Sequence, residues 1–357
     1  MADLQSLDRQ CVVSAPSRLH FGLFSFGDSA GNDFGGVGVM IDSPDIIIRA
    51  IRTADNEGLQ IALPARTGAI STGIGNKVDS PELVIRIQKI VSRWCTLNKN
   101  QLKEHLNGNF KSLPVQVNCE SVPPLHSGFG CGTQLTLAVI KALNLSFGIQ
   151  TEFRPGDAVH YGRAGRSAIG SHGFFTGGLL IDGGKTRHQS IGELVERANI
   201  PEDWRTVLIC HHQSIGESGQ REKDLFLRLP AVNNETSKTL RRLAFDSILP
   251  AIKANDFEQF SASVFSYGHQ AGLCFEQHQS GAYNGIRVSE VVEFLQDIGI
   301  AGVGQSSWGP CVFAWTRSAD EAESLRIDLI NRFSPDDYWV DIATPNNCGH
   351  TVQFEPE

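Results

Sequence analysis

The stretch that decides the fold is Pro123-Pro124-Leu125-His126-Ser127-Gly128-Phe129-Gly130-Cys131-Gly132-Thr133-Gln134, which runs directly into Leu135-Thr136-Leu137-Ala138-Val139-Ile140-Lys141-Ala142-Leu143. Ahead of it, Leu113-Pro114-Val115-Gln116-Val117 reads as a strand. The paired prolines stop that strand, and glycines at every second position permit steep turns and close backbone approach. Thr133 is the expected helix cap. The residues after it are apolar nearly all round, the pattern of a buried helix. A glycine loop feeding a helix N-terminus presents unpaired N–H groups at the positive end of the dipole, which suits phosphate or diphosphate.

Working outward, Cys11 to Leu23 reads as a strand whose period of two puts Arg18 and His20 on one face. A fixed Arg and His two residues apart suit an anionic substrate. Strands are expected over 35–41 and 46–50, and a helix over 80–95 with Ser80 and Pro81 at its start. Downstream of the central helix, a helix is expected near 156–162. Arg163 and Arg166 then stand among glycines ahead of Ser167, a set able to grip phosphate through charge-assisted hydrogen bonds. Residues 174–185 read as a strand or hairpin, running into the P-loop-like ending Gly184-Lys185-Thr186. That ending is not a P-loop, because the glycine the motif requires falls on Leu179.

The polar segment 190–203 is the expected domain boundary, before a strand over 204–210. His211 and His212 lack a third ligand at metal spacing, so a polar loop is the stronger reading. Helices follow near 234–254, 257–272 and 288–298. A second glycine-rich run, Gly302-Val303-Gly304-Gln305-Ser306-Ser307-Trp308-Gly309-Pro310, precedes a strand over 311–315, a helix over 318–333 capped by Ser318, and a closing strand over 338–343. This order predicts a ferredoxin-like second half.

The chain has 357 residues, enough for two cores. Its net charge of −8 argues against nucleic acid as a partner. Its eight cysteines show neither a C-x-x-C pair nor metal-ligand spacing, and no apolar run reaches the length of a membrane span. The resulting expectation is a cytoplasmic protein with reduced thiols and no membrane partner.

These stretches together resemble the GHMP kinase superfamily, and within it the β-ribofuranosylaminobenzene 5′-phosphate synthase family, a branch that does not act as a kinase. The resemblance rests on 17–23, Gly130-Cys131-Gly132-Thr133-Gln134, 165–170, Asp182-Gly183-Gly184-Lys185 and 304–310. It implies an α+β, two-domain GHMP kinase fold: an N-terminal domain like ribosomal protein S5 domain 2 over 1–195, and a ferredoxin-like C-terminal domain over 196–357. The implied reaction joins 5-phosphoribosyl 1-diphosphate to 4-aminobenzoate, with the close analogue 4-hydroxybenzoate as the other candidate acceptor, releasing diphosphate and carbon dioxide, early in the synthesis of methanopterin-type carriers. Mg2+ would assist, no organic cofactor is expected, and a homodimer is.

On that resemblance Gly128, Gly130, Gly132 and Thr133 receive the diphosphate. Arg163, Arg166 and Ser167 receive phosphate or diphosphate, with Lys185 beside them as a catalytic candidate. Arg18 and His20 are assigned to the benzoate carboxylate or to acid–base work. Gln305, Ser306, Ser307 and Trp308 close the site, with Trp308 either stacking on the aromatic ring or buried as a structural residue. Many kinases of the superfamily place an aspartate near Ile169-Gly170-Ser171, and this chain has no carboxylate there. An ATP-dependent small-molecule kinase, which ATP turnover with sugars or alcohols separates from the synthase, and a catalytically inactive binding protein of the same fold are the alternatives.

Overall fold

The computed structural model describes residues 10–27, 32–53, 57–64, 81–106, 113–149, 152–212, 224–279 and 281–355. The Ser80 cap and residues 213–223 lie outside them. Two long antiparallel strands form the frame, β1 (Gln10–Ser25) and β2 (Phe34–Arg52). The two strands expected over 35–41 and 46–50 are one continuous strand, β2. Its halves take different neighbours beyond β1. The later half pairs with β4 (Val115–Ser121), which carries β3 (Leu59–Ala62) in parallel. The earlier half pairs with β5 (Leu179–Asp182), which carries β6 (Leu194–Ala198). Residues 174–176, expected in a strand, instead finish a helix, α4 (Ile169–Thr176).

Helix α1 (Pro81–Leu97) and the shorter α2 (Lys99–His105) precede β4, and α3 (Cys131–Ser146) follows it. Leu135, Leu137, Val139 and Leu143 of α3 are buried with Ile46, Ile48, Val115 and Val117 of the sheet and Ile87 and Trp94 of α1. Each such side chain contributes about 1.5–3 kcal/mol of hydrophobic stabilisation. The helix starts two residues earlier than its predicted cap. Gly130, in the left-handed region at φ 71°, is the N-cap, and Thr133 lies in the first turn. Glycine occupies that backbone conformation without the strain a β-carbon brings. The helix expected near 156–162 is a single 3-10 segment, Pro155–Tyr161.

The second sheet has the order β10-β7-β9-β8, wholly antiparallel, from β7 (Arg205–His211), β8 (Val303–Gln305), β9 (Cys311–Thr316) and β10 (Tyr338–Ala343). Helical segments between 234 and 297 connect β7 to β8, and Ala319–Arg332 connects β9 to β10. This is the ferredoxin-like βαββαβ order. Ser318 caps the last helix as predicted, its hydroxyl accepting from the Glu321 amide at 3.2 Å.

The predicted split at 195/196 needs correction at both ends of the second segment. β6 crosses it and stays in the first sheet. The final strand, β11 (Thr351–Glu355), also returns to that sheet, pairing with β1. The open edge of β1 supplies the hydrogen bonds that β11 needs. A shared core joins the halves: Leu19, Phe21 and Phe24 of β1 are buried with Leu208, Phe260, Tyr267, Phe313 and Trp315. Gly22 makes this approach possible, since a β-carbon there would lie 2.3 Å from that of Ala271. Helix Phe257–Leu273 therefore presses directly on β1, and Tyr267 donates to the Gly22 carbonyl at 3.0 Å.

Candidate active site

Where the glycine loop, the arginine loop 162–167 and the late run 305–308 converge, the structure encloses a cavity of about 600 Å3. Arg18, His20, Thr133, Arg163, Arg166 and Ser167 line one part of its wall. Gln305, Ser307 and Trp308 line another.

The glycine loop is held from both sides. Arg18 donates to the Gly128 carbonyl at 3.2 Å through its guanidinium, and to the Phe129 carbonyl at 3.0 Å through its backbone N–H. Ser306 donates to the same Gly128 carbonyl at 2.7 Å and accepts from the His20 amide at 3.1 Å. The Ser307 amide donates to the His20 carbonyl at 2.9 Å. Gly128, at φ 100°, has no space for a β-carbon, which would lie 2.5 Å from the Ser306 carbonyl oxygen. Gly128, Gly130, Gly132 and Ser306 thus build the loop beneath the cavity, while Thr133 reaches its lining.

Arg163 crosses the first turn of α3. A β-carbon on Gly132 would stand 2.8 Å from one of its guanidinium nitrogens, and its Nε donates to Thr136 Oγ1 at 3.3 Å. Burial, and then the Arg86 charge, lower its pKa. A half-buried cation at the positive end of a helix, beside a second arginine, favours an anion as occupant. Arg166 lies over the Phe226 ring, 4.9 Å from its centre.

His20 is 3% exposed, and its Nε2 is 3.1 Å from Ser167 Oγ. Burial, and then the Arg18 charge, hold its pKa well below the usual imidazole value, so the ring is neutral near pH 7. Ser167 is placed by the start of α4. Its Oγ accepts from the Ile169 amide at 3.3 Å, and the next amide, Ala168, donates to Asp182 Oδ2 at 2.7 Å. Asp182 also accepts from the Gly184 amide at 2.9 Å and is fully buried. The carboxylate in the Asp182-Gly183-Gly184-Lys185 motif therefore ties the arginine loop to the end of β5.

Lys185 and Gln305 stand differently from expectation. Lys185 does not line the cavity. Its ammonium donates to the carbonyls of Ala164, at 3.4 Å, and Ser190, at 3.3 Å, bracing the arginine loop from behind. Gln305 spends both ends of its amide inside the protein, accepting from the Asn284 amide at 2.8 Å and donating to the Ser307 carbonyl at 2.9 Å. Trp308 lines the cavity but is 8% exposed, stacked on Phe226 with ring centres 5.0 Å apart and met edge-on by Phe275 at 4.7 Å. Sequence reasoning missed Phe226, Phe275 and Gln279 in the wall, because no motif or period marks them.

None of the described lining residues is Asp or Glu. Ser171 is 1% exposed and does not line the cavity. Protein-held Mg2+ is ligated through carboxylates as a rule. The described lining does not fit a resident Mg2+. Among the described residues, no group of three His, Cys, Asp or Glu could hold a metal ion. His211 and His212 turn to other partners: His211 Nδ1 accepts from Arg287 at 3.2 Å, and His212 Nε2 donates to the Pro335 carbonyl at 3.1 Å. No helix among the described residues is long and apolar enough to cross a membrane.

Fold and site define the class: a two-domain α+β protein with the GHMP kinase fold. Residues 248–334 match the family "GHMP kinases C terminal". Among solved structures, the chain is similar to homoserine kinase from Cytophaga hutchinsonii, with a TM-score of 0.63 and 18% identity, over 99% of this chain and 100% of that one. More particularly, the chain is similar to curated proteins named beta-ribofuranosylphenol 5′-phosphate synthase. The Methanothermobacter thermautotrophicus protein is 24% identical over 86% of this chain and 89% of its own. The Methanocaldococcus jannaschii protein is 26% identical over 96% of this chain and 99% of its own.

Proposed function

We propose that this chain is a β-ribofuranosyl-arene 5′-phosphate synthase, joining 5-phosphoribosyl 1-diphosphate to a para-substituted benzoate with loss of diphosphate and carbon dioxide. One observation carries the reading: three arginines line a cavity whose described wall holds no carboxylate. A phosphoryl-transfer enzyme that uses a carboxylate base needs that group beside the acceptor hydroxyl. The condensation needs none. The C1–oxygen bond of the ribose breaks, and its electron pair leaves with the diphosphate. The ring carbon bearing the carboxylate attacks C1, and the bond to the carboxylate then breaks, returning its electron pair to the ring as carbon dioxide departs. No proton is gained or lost in the sum.

The chain's residues act on charge and position. Arg163 and the first turn of α3 meet a phosphate group, and Arg18 and Arg166 place positive charge where the leaving group develops negative charge. Neutral His20, against Ser167, orients a polar group without adding a further cation. An electron-donating para group is required, because attack at the ring carbon places positive charge on the ring. 4-Aminobenzoate is the acceptor expected from the sequence. The relatives' name specifies a phenol, which makes 4-hydroxybenzoate the second acceptor of the reading. Such a product belongs early in the assembly of methanopterin-type carriers. The test is to incubate purified protein with phosphoribosyl diphosphate and each acceptor, then measure carbon dioxide. Release with neither acceptor overturns the reading.

A further inference from the structure

Part of the cavity wall belongs to no motif in the sequence, and it differs in chemistry from the arginine wall. Phe226 and Phe275 meet Trp308 there, and Gln279 follows on the short helix Glu276–Gln279. Gln279 is 7% exposed, and its side-chain nitrogen donates to the Gly272 carbonyl at 3.0 Å. That carbonyl fixes which way the amide faces, because an oxygen turned toward it would meet another acceptor. The Gln279 amide oxygen accepts no hydrogen bond from the described residues. This polar corner of an aromatic wall therefore presents an acceptor, whereas Gln305 already uses its amide oxygen on the Asn284 amide and one amide N–H on the Ser307 carbonyl.

We infer that the Phe226–Phe275–Trp308 wall is the subsite for the aromatic acceptor ring, and that the Gln279 amide oxygen selects a ring carrying a hydrogen-bond donor. The inference rests on the synthase reading and adds what that reading lacks, a residue that recognises the para group. An amino or hydroxyl group can donate to this oxygen, and a hydrogen or a methyl group cannot. Electron donation by the para group governs the chemistry after binding. Gln279 governs binding itself, so the two effects separate in an equilibrium measurement.

The experiment is titration calorimetry of the whole chain with 4-aminobenzoate, 4-methylbenzoate and benzoate, alongside phosphoribosyl diphosphate. 4-Methylbenzoate matches 4-aminobenzoate in size and lacks the donor. Wild-type protein should bind 4-aminobenzoate about tenfold tighter than either of the other two acids, the value of one buried neutral hydrogen bond. Gln279→Met keeps length and apolar contact, and should bind all three acids alike while holding phosphoribosyl diphosphate as the wild type does. Equal wild-type affinity for 4-aminobenzoate and 4-methylbenzoate would overturn the inference whether or not the variant folds. So would a Gln279→Met protein that keeps the tenfold preference. Either result, with phosphoribosyl diphosphate still bound, leaves the synthase reading standing. Failure to bind both the diphosphate and every acid sinks the two together.

Discussion

Gly132 and Arg163 are packed so that a β-carbon on the glycine would lie 2.8 Å from a guanidinium nitrogen of the arginine. The glycine is there for the side chain above it and not for its own backbone, since its φ lies outside the left-handed region. Gly132→Ala should therefore push Arg163 off the helix N-terminus while the fold persists. Alanine favours a helix by up to about 1 kcal/mol over glycine, so the melting temperature should hold or rise. Affinity for phosphoribosyl diphosphate should fall by about tenfold or more, in line with a lost charge-assisted contact. Unchanged affinity in a folded variant would remove Arg163 from the anion site.

Arg166 joins two functions, lying over Phe226 and lining the cavity. Arg166→Lys keeps the charge and loses the planar fork that stacks on a ring and pairs two phosphate oxygens. We expect kcat/KM for phosphoribosyl diphosphate to drop by about tenfold or more, while Arg326→Lys on the surface helix Ala319–Arg332 leaves it alone. Similar kinetics in the two variants would reduce Arg166 to a loop charge.

Lys185 provides the converse case. Its ammonium holds the carbonyls of Ala164 and Ser190 and stays out of the cavity. Lys185→Met should cost less than about 1.5 kcal/mol of stability. It should change kcat/KM by less than about threefold, since no contact with substrate is lost. A loss of turnover by orders of magnitude, with the fold intact, would restore the catalytic role expected from the sequence.

The central loop, the buried helix behind it and the ferredoxin-like order of the second half were legible because each rests on local signals: prolines, glycines, apolar periods and a serine cap. The arginine loop was legible from its composition. What the sequence concealed depends on tertiary placement. β11 is a short strand whose only reason to exist is the free edge of β1, more than 300 residues away in the chain. Lys185 sits in the right motif but points to the back of the arginine loop. Phe226, Phe275 and Gln279 lie on irregular or very short elements; Phe226 and Phe275 reach the cavity by packing on Trp308, and Gln279 is tied there by the Gly272 carbonyl.

His20 gives a pH signature. Its folded pKa is depressed by burial and by Arg18, so the folded state binds its proton less readily than the unfolded chain. The neutral ring's contribution to stability is complete above the unfolded value of about 6.5, and is lost as pH falls below it toward the folded value. Between pH 6.5 and 5, unfolding free energy should decline faster in wild type than in His20→Gln. The difference in slope should approach about 1.4 kcal/mol per pH unit, one proton's worth. Parallel curves in denaturant titrations would show that His20 titrates alike in both states.

The central claim is that this fold holds a diphosphate in order to release it, not to pass on a phosphoryl group. The direct measurement follows carbon dioxide and diphosphate together, with phosphoribosyl diphosphate and either 4-aminobenzoate or 4-hydroxybenzoate, beside a parallel assay of ADP formed from ATP and alcohol acceptors. Equal amounts of carbon dioxide and diphosphate are expected from at least one benzoate, with no ADP. Steady ADP formation coupled to an alcohol, with no carbon dioxide from either acid, would contradict that expectation and make the protein a kinase.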